Sequence, residues 1–88
     1  MLKLPHEVLQ ELAQKVRQVR RAKNLSQQRL SDKSGVSLGS LKRFEGTGQI
    51  SLESLLKIAM VLGHLDDFES LFQPKETWPS TLDEILKS

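Results

Sequence analysis

Lys42 and Arg43 stand side by side in the segment Ser37-Leu38-Gly39-Ser40-Leu41-Lys42-Arg43-Phe44. If Leu41 and Phe44, three apart, form the inner face of a helix, the outer face carries Leu38, Gly39, Lys42 and Arg43, with Ser37 at the cap and Ser40 at the edge. Short polar groups beside two long cations suit a surface that meets a polyanion. A guanidinium can donate twice to the O6 and N7 of guanine, a pairing worth roughly 1–3 kcal/mol of discrimination, which makes Arg43 the candidate base reader. Lys42 can do the same or hold a phosphate. Leu38 can touch a thymine methyl or simply cover the core, and Gly39 offers nothing to read. Upstream, Ser26, Gln27 and Gln28 fall where a helix N-terminus presents free amides and partial positive charge, a seat for phosphate. Gln27 would clamp a backbone and set register without reading sequence. In Gly46-Thr47-Gly48-Gln49, short side chains and exposed amides around Thr47 make a second phosphate candidate, with a plain helix connector as the other reading.

These residues need two short helices held at a fixed angle. Ser26 caps the first, which buries Leu30 and ends at Ser34-Gly35. Ser37 caps the second, which dies at Gly46-Thr47-Gly48. Leu30, Val36, Leu41 and Phe44 are the pins between them, and Ser31 is small enough for close approach. Two helices joined by a short turn containing glycine are the arrangement that presents the second helix to the DNA major groove. Around this pair, Val8, Leu9, Leu12, Val16 and Val19 predict a long amphipathic helix from Pro5 to about Asn24. Ser51 caps a fourth helix with Leu52, Leu55, Leu56, Ala59 and Leu62 inside and Gly63 closing it. Leu65, Phe68, Leu71 and Phe72 predict a short fifth. No stretch alternates with period two, so the expected class is all-α: a five-helix domain over residues 5–72. Residues 73–88 form a tail in which Pro74 and Pro79 flank Trp78. Thr81 and Glu84 have capping-box spacing there, and Leu82, Ile85 and Leu86 give a last short helix an apolar edge for a dimer or partner contact.

Eighty-eight residues, 38% hydrophobic and 27% charged, allow one modest core. The formal charge of +2 conceals a polarity. Residues 1–45 carry ten Lys/Arg against four Asp/Glu, a net +6, and residues 46–88 carry three against seven, a net −4. A basic half points to a polyanion partner, although basic helix faces are often only solvated. With no cysteine, disulfides, thiolate metal sites and cysteine nucleophiles are excluded. His6 and His64 lack metal-pair spacing, and Asp66 and Asp67, being adjacent, splay apart on a helix. No glycine pattern for nucleotide phosphates is present. The expectation is a binding protein and not an enzyme, with no cofactor. The N-terminus lacks an apolar export region and no run is long enough to span a membrane, so a cytoplasmic location is expected.

The chain resembles the Cro/C1-type, or XRE, helix-turn-helix family of bacterial and phage repressors. Val16 to Gln27 looks like that family's first helix and its Leu-Ser-Gln entry to the second; Ser34-Gly35-Val36-Ser37 matches its turn, and Ile50 to Ala59 its fourth helix. The resemblance extends over about residues 9–72. It implies phosphate contact from Gln27 and base contact from the positions of Leu38, Gly39, Lys42 and Arg43. It also implies a homodimer reading a double-stranded operator in two half-sites. Two positions depart from the pattern. Leu38 and Gly39 stand where relatives often carry long polar side chains, which puts readout on Arg43, Lys42 or DNA shape. Gly46 stands where they often have a basic residue. Ile50 to Phe72 is similar to HipB-like antitoxins, which implies repression of its own operon and a HipA-type kinase toxin as partner, met through the acidic half or the tail. A stand-alone phage or host regulator and a protein-binding adaptor without DNA affinity are the competing readings.

Overall fold

A computed structural model describes residues 3–74, which form four α-helices and one 3₁₀ segment. They are α1 (Pro5–Ala22), α2 (Gln27–Ser34), α3 (Leu38–Thr47), α4 (Leu52–Leu62) and the 3₁₀ turn Leu65–Ser70. No strand occurs among the described residues. The last short helix expected with the apolar edge Leu82, Ile85 and Leu86, and Trp78 before it, lie outside them.

Local chemistry fixes where each helix starts and stops. Ser26, Ser37 and Ser51 each hold extended backbone and accept a hydrogen bond from the amide three residues on, at 3.1 Å in every case. Pro5 occupies the first turn of α1, where Glu7 accepts from the Leu4 amide at 3.3 Å. Gly35, Gly48 and Gly63 end α2, α3 and α4 in the left-handed conformation.

α1 packs mainly on α3, while α2 packs on both α3 and α4. The larger core joins Leu30, Val36, Leu41, Ile58 and Leu62, and a second joins Ala13, Phe44 and Leu55. All four expected pins of the helix pair, Leu30, Val36, Leu41 and Phe44, are buried. Elsewhere the pattern differs from expectation. Leu52 is 63% exposed, because the buried stripe of α4 runs through Leu55, Ile58, Ala59 and Leu62 and begins one turn later. Val8 and Leu9, expected inside, are exposed, and the fully buried residues of α1 are Ala13 and Arg20. The fifth element is 3₁₀, and of its expected inner residues Phe68 alone is half-buried; Leu65, Leu71 and Phe72 face solvent.

Gly48 is where the end of α3 meets α1. A Cβ there would lie 2.7 Å from the carbonyl carbon of Leu9 and 2.8 Å from its oxygen, and the backbone φ of +83° is unfavourable for any side chain. Gly35 shares the left-handed backbone, at φ +78°, but has open space around it. Gly48→Ala is therefore expected to cost more than Gly35→Ala, whose loss is the backbone strain of about 1–3 kcal/mol alone. Thermal unfolding of the two variants measures the difference, and equal losses would mean that α1 does not press on the turn.

Candidate nucleic-acid interface

The turn between α2 and α3 is Gly35-Val36-Ser37, and serine hydroxyls stiffen it. Ser31 Oγ donates to the Val36 carbonyl at 2.6 Å, and Ser34 Oγ accepts from the Val36 amide at 3.1 Å. Val36 is thus held by its backbone as well as by its buried side chain. Such bonds define the angle at which α3 leaves α2.

The outer face of α3 has the expected composition. Lys42 and Arg43 are exposed, Ser37, Gly39 and Ser40 are exposed, and Leu38 is half-buried, so that part of its side chain covers the core. Neither Lys42 nor Arg43 forms an ion pair among the described residues. Ser37 Oγ donates to Ser40 Oγ at 2.8 Å, which leaves the Ser40 proton free to turn outward.

Arg43 is held in a ring of three hydrogen bonds. Its Nη2 donates to Gln49 Oε1 at 2.6 Å, the Gln49 amide donates to Thr47 Oγ1 at 3.1 Å, and Thr47 Oγ1 donates to the Arg43 carbonyl at 2.7 Å. The single hydroxyl proton of Thr47 is thereby committed to its own helix. Thr47 fixes Gln49, and Gln49 aims the guanidinium, whose remaining N–H groups stay available.

At the start of α2, Ser26 and Gln28 are exposed and Gln27 is half-buried. Gln28 Nε2 donates to Asp32 Oδ1 at 2.9 Å. Gln27 Nε2 donates to Glu45 Oε1 at 3.1 Å, and its second amide proton is unspoken for. This anchor belongs to a network that sequence reasoning missed. Glu45, with a side chain only 4% exposed, accepts from Arg20 Nε at 2.7 Å and from Arg20 Nη2 at 3.0 Å. Arg20 Nη1 donates to the Leu25 carbonyl at 2.7 Å, and the exposed Arg17 stands 4.0 Å from the same carboxylate. One buried, two-pronged ion pair therefore ties the end of α1, the loop into α2, the first residue of α2 and the body of α3 together. No buried side-chain polar atom among the described residues lacks a partner. The sequence held the signal for this pair. Arg20 sits four residues after Val16 on the apolar face of α1, and Glu45 four after Leu41 on the inner face of α3.

The candidates for DNA contact thus gather on the α2–α3 pair. Ser26, Gln27 and Gln28 open its first helix, and Leu38, Ser40, Lys42 and Arg43 line its second. A sequence model of the helix-turn-helix family matches residues 16–68, from the middle of α1 through the 3₁₀ segment. The chain belongs to the Cro/C1-type helix-turn-helix family. Helix-turn-helix domains of this type are DNA-binding regulatory domains, and the match contains every element of the helix pair, its turn and its buried ion pair. No curated protein matches the chain. No helix among the described residues is long and apolar enough to cross a membrane, and no cluster of His, Asp and Glu among them has the geometry for a metal ion.

Proposed function

We propose that the chain is a sequence-specific transcriptional repressor that lays α3 in the DNA major groove and binds as a dimer. The observation that carries this reading is the pair of exposed cations, Lys42 and Arg43, free of ion pairs on the outward face of the second helix of a rigidly pinned helix-turn-helix. In this reading Arg43 and Lys42 meet base edges, Leu38 approaches a thymine methyl, and Ser26, Gln27, Gln28, Ser37 and Ser40 hold backbone phosphates. Thr47 acts from behind, through Gln49. The helical domain that does this is residues 5–72. One copy makes few contacts, so two copies related by a two-fold axis engage half-sites about one helical turn, roughly 34–36 Å, apart.

The test is DNA binding as a function of salt. Log affinity should fall linearly with log salt at about −0.9 for each phosphate neutralised. Lys42→Ala should flatten that slope by about 1 if Lys42 holds a phosphate, and leave it unchanged while altering base preference if it reads an edge. A protein-binding adaptor predicts no salt-dependent DNA binding at all.

The narrower reading, an antitoxin that represses its own operon and binds a HipA-type kinase toxin, rests on the likeness of residues 50–72 to HipB-like antitoxins and on the acidic second half. It requires that a kinase-like protein copurify with the chain from its native host together with operator DNA. A stand-alone regulator predicts the DNA alone.

A further inference from the structure

An apolar groove of about 610 Å³ runs between α1 and α4, outside the helix-turn-helix pair, with the 3₁₀ segment at one end. Val8, Leu12 and Val16 form its α1 wall at successive four-residue steps, and Leu55 and Leu62 face them from α4. These are the α1 residues whose spacing predicts burial, yet Val8 remains 49% exposed. Leu71, at the groove's end, is 54% exposed, and Phe72 beside it is fully exposed with a positive φ of 60° that bulky residues rarely adopt. A helix stripe of this kind normally lies against another element.

We infer that residues 78–86 of this same chain dock in the groove through Trp78, Leu82, Ile85 and Leu86. The groove and the segment are complementary in three respects. The described chain ends at Pro74, three residues after Leu71 in the groove's own lining, and from Pro74 to Trp78 an extended chain reaches about 13–14 Å. So short a tether keeps the segment at an effective concentration of order mM, ahead of any second copy at ordinary protein concentration. In sequence, the segment's apolar residues at 82, 85 and 86 have the spacing of one helical edge, and Thr81 and Glu84 have the spacing of a capping box. Charge agrees as well. Lys15 on the groove rim has no ion-pair partner among the described residues, the rim's Asp67 is met by His64 Nδ1 at 3.0 Å, and the segment brings Asp83 and Glu84. The neighbouring Glu11 is already taken by Lys3 at 2.7 Å, which holds its carboxyl below the usual range.

Trp78 is the chain's one tryptophan and reports directly on docking. In the full chain its emission should be blue-shifted and poorly quenched by iodide. Both should move to the values of free indole in the triple variant Leu82→Asp, Ile85→Asp, Leu86→Asp, whose substitutions fall after the described residues 3–74. Val8→Lys, at a half-exposed groove position, should release Trp78 in the same way while circular dichroism stays helical. Emission that is already that of free indole in the unaltered chain overturns the inference, as does a Val8→Lys variant in which Trp78 stays protected. Dilution decides the occupant. Protection that is unchanged on dilution belongs to the chain's own segment, whereas protection lost together with a dimer in size-exclusion chromatography places a second copy in the groove and refutes the assignment. DNA affinity enters none of these readouts, so the result stands apart from the proposed repressor function.

Discussion

Glu45→Ala is expected to lower the unfolding free energy by about 3–5 kcal/mol, most of the margin of a small domain, because it strands the Arg20 guanidinium inside the protein. The Arg20 side chain is 8% exposed and directs two N–H groups at the carboxylate. Removing the acid leaves a charge that can neither reach water fully nor shed its proton. Replacing both partners separates the contribution of the pair from the cost of breaking it. Arg20→Met with Glu45→Leu should recover most of the lost stability and can exceed the starting value, since two desolvated ions give way to apolar packing. Denaturant unfolding of the single and double variants is the measurement. A single variant that loses less than about 1 kcal/mol would show the pair to be as weak as an exposed salt bridge. The double variant also makes a functional statement. It keeps the fold and deletes the Glu45 oxygen that holds Gln27 Nε2, so it should bind DNA more weakly than its stability predicts.

That network also shows where sequence reading stops. The three serine caps, the glycine stops and the buried pins of the helix pair were legible because each depends on a residue type acting within one or two turns of itself. Arg20 with Glu45 was legible only as two separate charges on inward helix faces; that they meet, twenty-five positions apart, is decided by the packing that brings their helices together. Periodicity also overreached at both ends of the core. It assigned Leu52 to the interior because a helical stripe continues on paper past the point where other helices cover it. The same rule points Val8 and Leu9 inward, although the elements that cover α1 among the described residues leave them exposed. At the candidate site, the types on the outer face of α3 were readable from spacing alone. The aim of Arg43 was not, because it is set by Gln49 from the following turn. Thr47, expected to meet phosphate, has its hydroxyl committed to its own helix, a local bond that a Thr four residues after any helical carbonyl can form.

Arg43→Ala and Gln27→Ala should weaken operator binding in ways that differ in kind, although the two side chains flank the same helix pair. A guanidinium that gives two protons to one guanine contributes about 1–3 kcal/mol of preference over the other bases. Removing it should reduce affinity for the operator by roughly 5- to 150-fold and flatten base preference at one position in each half-site. In the proposed interface Gln27 meets the DNA backbone, and its loss should then lower affinity for operator and unrelated DNA by the same factor. Selection of binding sites from random DNA with each variant reads the first effect, and competition with unrelated DNA reads the second. Gln49→Ala refines the comparison, because it leaves Arg43 in place but frees the Nη2 held at 2.6 Å. Its binding to unrelated DNA should be unchanged, while discrimination at the Arg43 position falls part of the way toward that of Arg43→Ala, since an untethered guanidinium must be ordered on binding. If Arg43→Ala lowered affinity for every sequence equally and Gln27→Ala relaxed base choice, the two roles would have to be exchanged. If neither altered binding, α3 would not be the helix in the groove.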